Sequence, residues 1–243
     1  MRTKTLLLTA AVGAAGLASA MAQGVYSVNA VGYVNASLGA GYSIIANPLN
    51  GTNNHLNTII PVVGTGNDGS IIYRWNPRLQ GFRDAVTYFE GFGWFTPEEP
   101  GVDGDPYIVE PGEGFFIQLN VPAQLTFVGE VPQGSLSTQV PGDNKFGIKA
   151  SQVPQALPIG DTTINKPNSL EFPAGEGDIL YIWNPAVQGY KDAYTYFGGF
   201  GWFSANPDDP GAAGPTIPVG TGFWTQKAAG SADAAWTRTF SVN

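Results

Sequence analysis

Two aromatic blocks contain the side chains best suited to contact a ligand. Residues 88–95 and 196–203 each place a tryptophan, Trp94 or Trp202, between a glycine and a phenylalanine. A planar ring on a β surface can stack on a sugar face, and a neighbouring glycine lets a ligand approach closely. Trp94 and Trp202 are therefore the first candidates for glycan stacking, with Trp75 and Trp183 of a nearby motif beside them.

The same rings could fill a hydrophobic core instead, because aromatic side chains bury large apolar areas. Neighbouring strand residues point to opposite faces, so Trp94 and Phe95 cannot both enter one core. An outward tryptophan favours glycan binding. An outward phenylalanine favours a contact with protein, or between the two halves of the chain.

Catalytic chemistry has weaker support. The carboxylates of Asp84 and Asp192 recur at equivalent positions, and glycoside cleavage needs two carboxylates. Each follows a basic residue, however, which favours an ion pair at a hairpin. Acyl transfer with a Ser-His-Asp triad would need a histidine as base, and the single histidine, His55, has no counterpart in the second half. With no cysteine in the chain, thiolate catalysis and cysteine zinc sites are excluded.

One acidic loop could bind calcium. Glu98, Glu99, Asp103 and Asp105 crowd together, and hard oxygen ligands on a flexible loop suit Ca²⁺. A solvated loop is the alternative, and no other cofactor is expected. Residues 64–69 match a dinucleotide fingerprint by letter, but a predicted strand follows where the phosphate site needs a helix.

A tandem repeat organises the chain. Residues 73–95 and 181–203 are identical at 16 of 23 positions with an offset of 108. The offset also aligns 112–118 with 220–226, which predicts a first half (23–135) and a second half (136–243).

The local patterns indicate β structure in both halves. Alternation over Ile71, Tyr73 and Trp75 predicts a strand, and the following WNPxxQG motif predicts a hairpin with a left-handed residue at Gly81. A short helix is expected over 54–60, capped by Asn54. Glycine (33) and proline (19) are frequent. We therefore predict an all-β fold with two tandem sandwich-like or jelly-roll-like halves.

The N-terminus and the composition indicate an exported protein. Residues 1–22 have basic, apolar and small-residue regions in the order typical of a signal peptide, with cleavage after Ala20 or Ala22. No later segment has the ~20 apolar residues needed to span a bilayer. The net charge of −8 argues against nucleic acid as a partner. Extracellular space, cell surface or periplasm is the expected location.

Three longer motifs carry a resemblance to known proteins. They are GYSIIANPL (41–49), PGEGFFIQ (111–118) and TFVGEVPQ (126–133). In these motifs the chain resembles a family of secreted tandem-repeat β proteins of environmental Gram-negative bacteria that has no assigned function. The resemblance implies export and a β fold, and it transfers no catalytic or binding residues.

Three functions follow as hypotheses. The first is a non-catalytic structural or adhesive protein at the cell surface or outside the cell, with other surface proteins as partners. The second is a bivalent glycan-binding protein with exposed aromatic rings. A polysaccharide-active enzyme is the third, supported only by the acidic residues.

Overall fold

The computed structural model describes residues 30–96, 107–163, 168–206 and 211–242. Within these ranges the strands pair antiparallel and the helical content is one short turn, which confirms the all-β prediction. No helix among them is long and apolar enough to cross a membrane. The predicted signal peptide, residues 1–22, lies outside the described residues.

The helix α1 spans Leu56–Ile59. The strands are β1 (Val31–Leu38), β2 (Gly41–Ala46), β3 (Ile71–Tyr73), β4 (Trp75–Asn76), β5 (Gly81–Phe82), β6 (Val86–Phe89), β7 (Gly93–Phe95), β8 (Gly114–Leu119), β9 (Ala123–Glu130), β10 (Gly134–Val140), β11 (Phe146–Ala150), β12 (Leu157–Pro158), β13 (Ile179–Tyr181), β14 (Trp183–Asn184), β15 (Gly189–Tyr190), β16 (Tyr194–Phe197), β17 (Gly201–Ser204), β18 (Thr216–Ile217), β19 (Gly222–Gln226) and β20 (Ala234–Phe240).

Two five-stranded sheets form the centre of the described structure. The first has the order β2-β8-β3-β6-β7 and the second the order β11-β19-β13-β16-β17. The equivalent strands therefore take equivalent places in the two sheets. Two-stranded pairs complete the fold: β1-β9, β10-β20, β12-β18, β4-β5 and β14-β15.

Each sheet is covered on one face by a two-stranded ribbon. In the first half the β1-β9 ribbon contributes Leu125 and Phe127 to a core that also holds Trp94 and Phe115. In the second half the β10-β20 ribbon contributes Trp236 to the equivalent core. Strand alternation explains these cores, because every second side chain of a strand reaches the same face.

The opposite faces of the two sheets meet each other, and we call this contact the seam. Its buried residues are Ile44 and Phe116 from the first half and Ile148 and Trp224 from the second. Gly114 and Gly222 face one another there, and a Cβ on either would press against the other's Cα. Glycine at both positions lets the two backbones approach closely enough for the seam to form.

The helix differs from the prediction at its start. His55, not Asn54, is the capping residue, and its Nδ1 accepts a hydrogen bond from the Asn57 N–H at 3.2 Å. Asn54 has a φ of 51° and its side chain joins a buried hydrogen-bond network, so it is not available as a cap.

The WNPxxQG hairpin is confirmed, with Trp75 opposite Phe82 and Trp183 opposite Tyr190. The prediction of a left-handed residue at Gly81 is wrong, because the positive φ falls on Gln80 (53°). The equivalent Gln188 has a φ of 51°. Left-handed backbone is unfavourable for a residue with a Cβ, so this glutamine needs compensating contacts.

Candidate functional site

The tryptophans of the aromatic blocks lie inside the protein. Trp94 and Trp202 are both 0% exposed. The indole N–H of Trp94 donates to the carbonyl oxygen of Ile60, and that of Trp202 donates to Gly160, each at 2.8 Å. The prediction that these rings form stacking platforms is therefore wrong, because each ring fills a core and its only polar atom is already satisfied.

The backbone on either side of Trp94 is also covered. The Asn57 side chain accepts from the Trp94 N–H at 2.7 Å and donates to the Trp94 carbonyl at 3.1 Å. On the edge strand of the second sheet, the Trp202 N–H donates to the carbonyl of Ala212. These contacts occupy part of the edges where another chain could add a strand.

The phenylalanines of the same blocks are the outward rings. Phe92 and Phe200 stand at the tips of their hairpins and are 81% and 71% exposed. In each half, two further exposed phenylalanine rings lie beside the tip with centroids 6.1 Å apart. We call these groups the first Phe triad (Phe89, Phe92, Phe95) and the second Phe triad (Phe197, Phe200, Phe203).

Alternation required one ring of each Trp-Phe pair to be outside, but the sequence left open which one. In the structure tryptophan is the inner ring of each pair and phenylalanine the outer one. A backbone carbonyl accepts from each buried indole N–H, so the polar atom of the inner ring is satisfied. No sequence motif identifies the two hydrogen-bond acceptors, because they are the backbone carbonyls of Ile60 and Gly160.

The other two candidate tryptophans belong to the seam. The indole N–H of Trp75 donates to the Phe146 carbonyl at 2.9 Å, and that of Trp183 donates to the Tyr42 carbonyl at 2.8 Å. Each tryptophan thus reaches from its own half to the first sheet strand of the other half. Trp75 packs edge-on against Trp224 at 4.8 Å, so its main role is to hold the halves together.

Two glutamines reinforce these contacts. Gln80 accepts from the Phe146 N–H at 2.7 Å and donates to the Phe146 carbonyl at 3.0 Å. Gln188 makes the same pair of bonds to Tyr42, at 2.7 and 3.0 Å. Each amide pairs with an edge strand as a neighbouring peptide would. The WNPxxQG motif is therefore a reciprocal clamp, a role that its local sequence does not reveal.

An aromatic groove opens at the seam, with a volume of about 420 Å³. Phe82 of the first half and Tyr190 of the second are about half exposed at its mouth (51% and 48%). The residues that line it are Tyr42, Tyr73, Phe82, Phe116, Trp183, Tyr190 and Trp224. Of the four candidate tryptophans, only Trp183 contributes to this lining.

The hydroxyls of Tyr73 and Tyr190 in the groove stay protonated at neutral pH. Burial raises the pKa of Tyr73, and the neighbouring Tyr42 raises it further. Burial also raises the pKa of Tyr190, and the nearby indole N–H of Trp224 offsets part of that rise. The lining is thus formally uncharged.

Charged groups near the seam are engaged in structural contacts. The ammonium of Lys149, almost fully buried, contacts the Glu113 carboxylate of the other half at 2.6 and 2.8 Å. Asp84 and Asp192 lie exposed on the surface. Within the described residues, no three histidine or acidic side chains are grouped as a metal site would need. The calcium candidates Glu98, Glu99, Asp103 and Asp105 lie outside the described residues.

The residues 64–69 lead into β3, as predicted, so no helix begins there to bind a phosphate.

We found no significant match between the chain and a protein-family model, a curated protein or a solved structure. The resemblance to secreted tandem-repeat proteins therefore stays a prediction. The two surfaces that bear on function are the Phe triads and the aromatic groove.

Proposed function

We propose that the chain is an exported, non-catalytic structural or adhesive protein whose two Phe triads are its contact surfaces. The observation that carries the proposal is the outward placement of three phenylalanines at the same hairpin in each half. A solvent-exposed aromatic cluster without hydrogen-bonding groups is typical of a protein contact site.

A second copy of the chain is the partner that fits best. The paired rings of the two triads have the same centroid separation, 6.1 Å, and similar interplanar angles, 57° and 59°. A surface that accommodates one triad therefore accommodates the other. Triad-to-triad contacts at two places on each molecule would link copies into open chains, as a structural or adhesive layer requires.

The surroundings of the triads predict how salt affects this contact. Glu90 and Asp68 lie beside the first triad, where the Glu90 N–H donates to Asp68, and Glu176 lies beside the second, where it accepts from the Gly198 N–H. Like charges would repel across a triad-to-triad contact, and salt screens such repulsion. Association through the triads should therefore strengthen with ionic strength, unlike association through ion pairs.

The test is sedimentation velocity of the purified protein and of the double variant Phe92→Ser/Phe200→Ser. Burying a phenylalanine contributes about 2 kcal/mol, so the loss of each ring should weaken association roughly thirtyfold. Leu79→Ser/Val187→Ser is the matched control, since these two side chains are about 70% exposed at equivalent positions of the other hairpin.

We expect the control to associate like the wild type and the Phe variant to be monomeric. Association that both double variants lose equally, or that falls as salt is added, would contradict the proposal. A wild-type protein that stays monomeric at every concentration and salt level would do so as well.

A further inference from the structure

The geometry points to the aromatic groove at the seam as a binding site for a quaternary ammonium group. This inference concerns a different surface from the Phe triads and does not depend on their role. It rests on the ring arrangement, the charge of the lining and the way the rings are held.

The rings form walls that meet nearly at right angles. Phe116 lies at 83° to Tyr42 and at 82° to Trp183, with centroids 6.3 and 5.7 Å apart. Trp183 and Tyr190 meet at 80° and 5.0 Å. Rings set nearly at right angles around one groove resemble the aromatic cages that hold methylated ammonium groups.

The charge of the site favours a cation. Every side chain that lines the groove is aromatic, so no carboxylate or ammonium of the described lining competes with the ring faces. Each ring face is the negative side of its quadrupole, and its attraction for a cation grows as water is excluded. The net charge of −8 adds a long-range field that attracts cations to the protein.

The same lining disfavours a sugar. A sugar ring brings many hydroxyls that need hydrogen-bond partners, and a site that leaves them unpaired loses affinity. The lining offers only tyrosine hydroxyls and indole N–H groups. The Trp183 N–H already donates to Tyr42 and the Tyr73 hydroxyl to Gln118. The buried Trp224 N–H, which has no hydrogen-bond partner among the described residues, is a single donor for the many hydroxyls of a sugar. A trimethylammonium group needs no hydrogen bond and is small enough for a groove of about 420 Å³.

Hydrogen bonds within the protein hold the walls in the absence of a ligand. The Gln188 side chain accepts from the Tyr42 backbone N–H and donates to the Tyr42 carbonyl. The indole N–H of Trp183 donates to the same carbonyl. The Tyr73 hydroxyl contacts Gln118. Preorganised rings lose little conformational entropy on binding, so even a small cation can be retained.

The experiment is calorimetric titration of the purified protein with choline and tetramethylammonium chlorides at constant ionic strength. The neutral probe 3,3-dimethylbutan-1-ol has the shape of choline without its charge. We expect both cations to bind and the neutral probe to bind about tenfold more weakly, a difference between those of an exposed and a desolvated cation–π contact.

The variant Tyr190→Leu keeps an apolar side chain but removes a ring from the mouth of the groove. We expect it to weaken choline binding about tenfold. Tyr33→Leu, which changes an exposed ring of β1 outside both the groove and the Phe triads, should bind like the wild type. If Tyr190→Leu does not fold, Phe82→Leu, which changes the other half-exposed ring of the lining, takes its place with the same expectation.

Two further arms identify the source of the cation. Co-sedimentation with phosphatidylcholine vesicles would indicate a lipid headgroup, whereas binding of free choline without vesicle binding would indicate a soluble ligand. Equal affinity for choline and its neutral analogue would overturn the inference. Absence of choline binding, or saturable binding of a neutral oligosaccharide in the groove without a response to choline, would overturn it too.

Discussion

Replacing Gln80 by alanine should weaken the seam more than the same change at Gln188. The two glutamines make equivalent pairs of hydrogen bonds to the backbone of the other half. The bonds of Gln80 to Phe146 are partly buried, whereas those of Gln188 to Tyr42 are exposed. Water can replace an exposed bond at little cost, so burial should set the order of the two effects.

The magnitude follows from the bonds that are lost. Gln80 makes two bonds across the seam and one to Pro77 inside its own turn, at 2.6 Å. At about 1 kcal/mol net per bond, Gln80→Ala should lose about 3 kcal/mol of unfolding free energy. Gln188→Ala should lose about 1 kcal/mol. For a chain of this length these losses correspond to decreases in Tm of roughly 9 °C and 3 °C.

The left-handed backbone of Gln80 supplies an internal check. Alanine keeps the unfavourable φ and loses the hydrogen bonds, while glycine loses the bonds but adopts this φ readily. Gln80→Gly should therefore recover about 1 kcal/mol relative to Gln80→Ala.

Urea and thermal unfolding followed by circular dichroism measure these differences. Gln124→Ala, at an exposed position of β9, is the matched control and should be neutral. The reasoning fails if Gln80→Ala is no more destabilising than the control, or if Gln188→Ala is the more damaging of the two.

Three further predictions concern the core and the edge strand. Trp94→Ala should lower the free energy of unfolding, measured by urea titration, by about 3–5 kcal/mol because the ring is fully buried. A decrease below about 1 kcal/mol would contradict the burial of this ring. Gly93→Ala should be clearly destabilising in the same assay, since its φ is 104° and a Cβ would collide with Asn57; an unchanged midpoint would contradict this packing. Burial and the hydrogen bond to Asp161 raise the pKa of Tyr196 to about 12. Unfolded tyrosine ionises near pH 10, so the stability that this group contributes is present below about pH 10 and is lost as pH rises toward 12. The variant Tyr196→Phe should lose less unfolding free energy than the wild type between pH 10 and about pH 12. If the variant and the wild type lose stability equally over this range, the raised pKa of Tyr196 is refuted.

Much of the local structure could be predicted from the sequence because local rules fix it. The WNPxxQG turn, the strands around Ile71 and Phe115 and the short helix near Leu56 all appear where alternation and turn residues placed them. The helix cap and the left-handed turn residue were missed, since Asn54 and Gln80 are governed by long-range hydrogen bonds.

The candidate site was harder to predict because it depends on tertiary packing. Trp94 and Phe95 lie on opposite faces, as expected, but which ring enters the core depends on tertiary packing, where the distant Ile60 carbonyl accepts from the buried indole N–H. The aromatic groove could not be foreseen at all. It forms between Phe82 and Tyr190, which are 108 residues apart and meet only because the two sheets pack face to face.

The number of copies that one molecule can bind tests the proposed function most directly. Sedimentation velocity at high salt should be compared for the wild type and for the single variants Phe92→Ser and Phe200→Ser. With two triads the wild-type assemblies should keep growing with concentration, while each single variant, left with one triad, should stop at the dimer. Single variants that still form assemblies larger than dimers would contradict the role of the Phe triads.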